Sequence, residues 1–62
     1  MYKVTNGDMY IKFGNGYNEF SIQRLQYHCI HFHNIDAATR AIEIVSRSNP
    51  KIAATLKIVE VN

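Results

Sequence analysis

The chain has 62 residues, 47% of them hydrophobic, and seven Lys and Arg against five Asp and Glu give it a net charge of +2. That length excludes a multidomain protein, and residues 1–62 read as a single domain with a thin core, because a chain this short buries only about 60% of the surface its unfolded form exposes. The hydrophobic share excludes a disordered chain, and the small positive surplus does not by itself point to nucleic acid.

Taken in chain order, "YKVTNGDMYIKF" reads as a hairpin, with strands Tyr2 to Thr5 and Met9 to Phe13 around Asn6-Gly7-Asp8. Asn-Gly supplies the positive φ angles that a tight turn needs. The "GNG" at Gly14 to Gly16 is a second turn signal, and it does not open a helix, so it is not a phosphate cradle. A third strand is expected over Tyr17 to Ile22, with Phe20 and Ile22 on one face. Gln23 to Gln26 fits a turn or a single helical turn. Tyr27 to His33 reads as a strand with Ile30 and Phe32 on one face and Cys29, His31 and His33 on the other.

Asn34 is placed to cap a helix, and Asp36 adds negative charge at its positive end. The spacing of Ile35, Ala38, Ala41, Ile42 and Val45 predicts a helix over Ile35 to Arg47 with one apolar stripe. Arg40, Glu43 and Arg47 share the opposite face, with Glu43 and Arg47 at the spacing of an i,i+4 ion pair. Asn49-Pro50 ends the helix. Ala54 to Val61 is the last strand, and its apolar residues on both faces suggest a central or doubly covered position.

These elements predict an α+β fold: a small, mostly antiparallel sheet of three to four strands packed on one helix, in the order β-β-(β)-β-α-β. The strands flanking the helix could be parallel neighbours through a right-handed crossover. A single helix covers one sheet face and leaves the other, or a sheet edge, for a partner.

The single cysteine rules out an internal disulfide framework and fits a cytoplasmic setting. No apolar run suits a signal peptide or a membrane span, so no membrane partner is expected. Cys29, His31 and His33 form the candidate metal set, since alternate strand positions can hold one ion. A structural zinc site, however, usually draws on two close ligand pairs, and only one cluster is present. A solvated strand with a small apolar Cys29 explains the same residues, so no metal and no cofactor is assigned. Histidines that take part in a pH-dependent contact with a partner are a third explanation. A cysteine-nucleophile site lacks a nameable third group, so no catalytic residue is assigned and the chain is not expected to be an enzyme. Half or more of the seven aromatic residues are expected in the core, with surplus tyrosines available to anchor a protein or stack on bases. Ile44, off the main stripe, fits a flank contact with the sheet better than an exposed seam.

Tyr2, Val4, Asn6, Gly7 and Tyr10, together with the late "IVEV" of Ile58 to Val61, resemble small single-domain proteins of phages and prophages of Gram-positive bacteria. Some proteins of that group block host defences, anti-CRISPR proteins among them. Phe32, Asn34, Ala38 and Ala41 are similar to the helix start of the AP2-like DNA-binding domain of integrases, whose exposed sheet reads the major groove with several Arg and Lys. Here only Lys3, Lys12 and Arg24 could serve, and a strand follows the helix. The resemblance to phage proteins implies a non-enzymatic protein-binding module that inhibits a host or defence protein, such as a nucleic-acid-binding effector. The expected partner-binding residues are Lys3, Tyr10, Lys12, Tyr17, Arg40, Glu43 and Arg47. Direct DNA binding through the sheet and a His/Cys metal protein are the alternatives, and a homodimer is compatible with each.

Overall fold

The computed structural model describes residues 1–14, 19–24, 26 and 29–61. β-branched and aromatic residues build the strands β1 (Tyr2–Thr5), β2 (Tyr10–Phe13), β3 (Phe20–Gln23) and β4 (Lys57–Glu60). They form one antiparallel sheet in the order β3-β2-β1-β4, and the helices α1 (Ile35–Ser46) and α2 (Pro50–Ala53) belong to the segment between β3 and β4. The α+β architecture is the one expected from the sequence.

The first turn is built by side chains as well as backbone. Asn6 Oδ1 accepts from the amides of Asp8 (2.9 Å) and Met9 (2.7 Å), an arrangement that turns the chain without a strand ladder. Gly7 has φ of +95°, where a side chain would be strained. Thr5, buried on the sheet, donates to the Met9 carbonyl and accepts from the Gly7 amide. The turn is also tied to the far end of the chain, since Asn6 Nδ2 donates to Thr55 Oγ1 at 3.0 Å.

Beyond Thr5↔Tyr10 the hairpin does not continue as a ladder. Residues Ile30–Phe32 enter between β1 and β2 instead. Phe32 exchanges both backbone hydrogen bonds with Tyr2 (2.6 and 2.8 Å), and the Ile30 amide donates to the Ile11 carbonyl at 3.0 Å. The strand expected over Tyr27 to His33 is thus reduced to one bridge, with Tyr27 and His28 outside the described residues. The physical gain is twofold. Backbone groups of two splayed strands find partners, and Lys3 and Lys12, which an unbroken ladder would set directly opposite each other, are parted.

Asn34 caps α1 as its residue type predicts, with extended backbone and its Oδ1 accepting from the Ala37 amide at 2.8 Å. Replacing Asn34 with alanine leaves that amide without its partner and is expected to lower stability by about 1 kcal/mol, read as a shift of the urea midpoint at unchanged slope.

Ala38, Ala41 and Val45 point from α1 into a core shared with Val4, Ile11, Phe32, Ala53 and Leu56. Ile35, expected in the stripe, is 53% exposed at the helix start. The Glu43–Arg47 pair does not form, and among the described residues the one ion pair joins Arg24 and Asp8 at 3.7 Å. Two exposed side chains on a helix gain too little from pairing to offset their lost rotamer freedom.

The end of the chain differs most from expectation. Pro50 ends α1's direction but also starts α2, because a proline fits the first position of a helix, where no amide partner is required. β4 begins only at Lys57 and lies at the sheet edge, paired antiparallel with β1 from Tyr2↔Glu60 to Thr5↔Lys57. It is not a central strand, and no parallel crossover joins it to the segment before α1. Val59, on its uncovered side, is 39% exposed. The third strand starts later than expected, at Phe20, with Tyr17 outside the described residues.

The core also contains fewer aromatic rings than composition suggests. Of the described aromatics only Phe32 is buried, while Tyr2, Tyr10 and Phe20 are half-buried and Phe13 is 70% exposed. The alanines of α1 explain this: their small side chains let the helix approach the sheet closely, and aliphatic residues suffice to fill the space between.

Candidate functional site

Strand alternation and register assign every strand residue to a face. Val4 and Ile11 are fully buried, so they mark the helix side. Their partners in register, Ile58 and Ile22, share that side, as do Phe13 and Phe20. The opposite side presents Lys3, Thr5, Tyr10, Lys12, Ser21, Gln23, Lys57 and Val59, and neither helix covers it. Lys3 confirms the assignment, since its Nζ sits 5.7 Å from the centre of the Tyr10 ring, a cation–π contact across β1 and β2.

This open face carries three lysines and no acidic residue within the strands. Glu60 faces the other way, paired in register with Tyr2. Asp8 lies in the first turn, where it meets Arg24, so that cation and that acid neutralise each other at one end of the sheet. Glu19, one residue before β3, continues the face at its far corner, where its carbonyl accepts from Gly14. A net charge of only +2 for the whole chain thus conceals a local concentration of cations beside an aromatic ring.

The residues expected to bind a partner divide between two surfaces. Lys3, Tyr10 and Lys12 come together on the open sheet face. Arg40, Glu43 and Arg47 are exposed on α1, on the other side of the sheet from those lysines, and Arg40 lines the groove between α1 and the outer strands. Tyr17 is outside the described residues. Lys57 is a further lysine of this face that the sequence reading did not single out, although strand alternation puts it on the same side as Val59. Arg24, considered only as a possible DNA contact, lies 3.7 Å from Asp8.

The His/Cys set is not gathered. Cys29 is half-buried, His31 and His33 are exposed, and among the described residues no group of three His, Cys, Asp or Glu is placed to hold a metal ion. Without a continuous strand the alternation that would have aligned them does not exist. Among the described residues no helix is long and apolar enough to cross a membrane.

A groove lies on the helix side, between α1 and the outer strands, where Ile44 faces Phe13 and Phe20. Ile44 is half-buried there, the flank contact its position on the helix suggested. No protein-family model, curated protein or solved structure matches the chain.

Proposed function

We propose that the protein is a non-enzymatic binding module whose open sheet face docks on an acidic surface of a partner protein. The observation that carries this reading is the sheet face opposite the helices, on which, among the described residues, Lys3 contacts Tyr10, Lys12 follows on the same strand and Lys57 lies across Thr5, with no acid in the strands. Tyr10 supplies contact area at low entropy cost, and the lysines supply charge complementarity that speeds and orients association. Val59 adds an exposed apolar contact beside them. A module with no chemistry of its own acts by occupying a surface, which agrees with the inhibition of a host or defence protein that the resemblance to small phage proteins implies.

The same face favours a second reading, since phosphates are also met by lysines on a sheet. Three lysines make a weak electrostatic footprint for DNA, and each phosphate contact contributes only about one unit of salt slope. The two readings separate in one experiment. The immobilised protein is exposed to nuclease-treated bacterial lysate beside a variant carrying Lys3→Gln, Lys12→Gln and Lys57→Gln. A protein retained by the wild type and lost from the variant is the expected result. Retention that disappears on nuclease treatment would assign the face to nucleic acid, and equal retention by both forms would remove the face from function.

A further inference from the structure

The groove on the helix side has a composition of its own. α1 turns Ala37, Arg40, Ala41 and Ile44 toward it, and the small size of the two alanines helps leave a space of about 430 Å³. That volume lies in the range of sites for small molecules, roughly 300–1,000 Å³. Three rings line it in series. Phe13 stacks on Phe20 at 6.2 Å between centroids and 24° between planes, and Phe20 meets Phe32 at 6.1 Å and 49°. The outer member of the series, Phe13, is 70% exposed, so the stack ends on a ring with free surface.

The polar members of the lining are His31, His33 and Arg40. All are donors or cations, and no acidic side chain lines the groove among the described residues. Arg40 is exposed and takes no part in the ion pair present among the described residues, although Asp36 and Glu43 stand one turn away on either side. An unpaired guanidinium at the mouth of an aromatic slot is matched by an anion attached to a ring, because guanidinium recognises planar carboxylates with paired hydrogen bonds.

We propose that this groove binds a small aromatic carboxylate, its ring laid against Phe13 and Phe20 and its carboxylate at Arg40 with His31 and His33 donating. A nucleobase fits the ring but not the walls, since the polar atoms of its edge would be buried against phenylalanine and alanine without partners. A simple fatty acid fits the walls but gains nothing from the ring series. The site is separate from the open sheet face and does not rest on it.

The test is an NMR titration of the amide resonances of the whole chain with naphthoate, and with the neutral naphthalene methanol as its uncharged counterpart. Saturable shifts are expected at Phe13, Phe20, Phe32, Ala37 and Ile44, with the alcohol about tenfold weaker because it lacks the charge-assisted bonds. Arg40→Gln is expected to erase that difference while leaving the alcohol's affinity unchanged. Ala37→Leu should fill the slot and abolish binding of both, with the remaining amide resonances kept at their native positions. The variant lacking the three open-face lysines should bind naphthoate as the wild type does, which keeps this site's test independent of the partner surface. No saturable shift, equal affinity for acid and alcohol, or shifts centred on Lys3, Lys12 and Lys57 would each overturn the proposal. So would binding only by a peptide that carries an aromatic residue beside an acidic one, which would make the groove a peptide site.

Discussion

Phe32→Ala is expected to remove a large part of the protein's stability. Phe32 is 7% exposed and joins three parts of the structure at once: its backbone closes the bridge to Tyr2, its ring meets Phe20, and it packs in the cluster with Val4, Ile11 and the alanines of α1. Removing a buried phenylalanine side chain costs about 3–5 kcal/mol, transfer and cavity together. A domain of this length has a total stability of roughly 3–9 kcal/mol. The loss is therefore a large part of the whole, and the midpoint of thermal unfolding should fall by at least roughly 12 °C, given about 4–8 °C per kcal/mol for small domains. Phe13→Ala provides the contrast. That ring is largely exposed and touches Phe20 alone among the described aromatics, so its loss should cost no more than about 1 kcal/mol. Circular dichroism melts of the two variants check the difference. Equal destabilisation by both would mean that Phe32 is not the wedge that joins the splayed strands.

The second large effect concerns the open face. Changing Lys3, Lys12 and Lys57 together to glutamate should reduce affinity for the partner by about a hundredfold or more, since the three charges are not merely removed but reversed against an acidic surface. The fold should persist, because Lys57 is exposed and the aliphatic stems of Lys3 and Lys12 only partly cover the sheet. The salt dependence of binding should weaken in the milder glutamine variant, as expected when long-range attraction between exposed charges is lost. Arg40→Gln with Arg47→Gln removes the same kind of charge from α1 and should leave partner affinity unchanged. Surface plasmon resonance on the captured partner at two salt concentrations measures all of these. A loss with the helix variants equal to that with the sheet variants would place the interface on the helix side instead.

What could be seen in the sequence follows from the range of the forces involved. The cap at Asn34, the helix through Ser46 and the first turn depend on residues within a few positions of one another, and these were legible. The insertion of Ile30–Phe32 between β1 and β2 depends on hydrogen bonds to Tyr2 and Ile11, far away in the chain, and no local pattern announces it. The edge position of β4 was hidden for a related reason. Apolar residues on both faces of "LKIVEV" read as double cover, but Val59 is tolerated in the open because isolated exposed apolar residues are common on protein surfaces. α2 had a legible signal in Pro50, which was taken only as a stop. Residue type alone nominated Lys3, Tyr10 and Lys12 as candidates. Adding Lys57 and separating off Arg40, Glu43 and Arg47 required the strand register and the direction of the helix, which only the assembled fold supplies.

The lysines offer the most direct test of the central claim. The chain has four: Lys3, Lys12 and Lys57 on the open sheet face, and Lys51 exposed on α2 in the helix layer. Acetylation of the protein, free and in complex with its captured partner, followed by mass spectrometry, reports which of them the partner covers. The account predicts that Lys3, Lys12 and Lys57 are modified in the free protein and protected in the complex, while Lys51 reacts equally in both. Protection of Lys51 with the other three left reactive would contradict it.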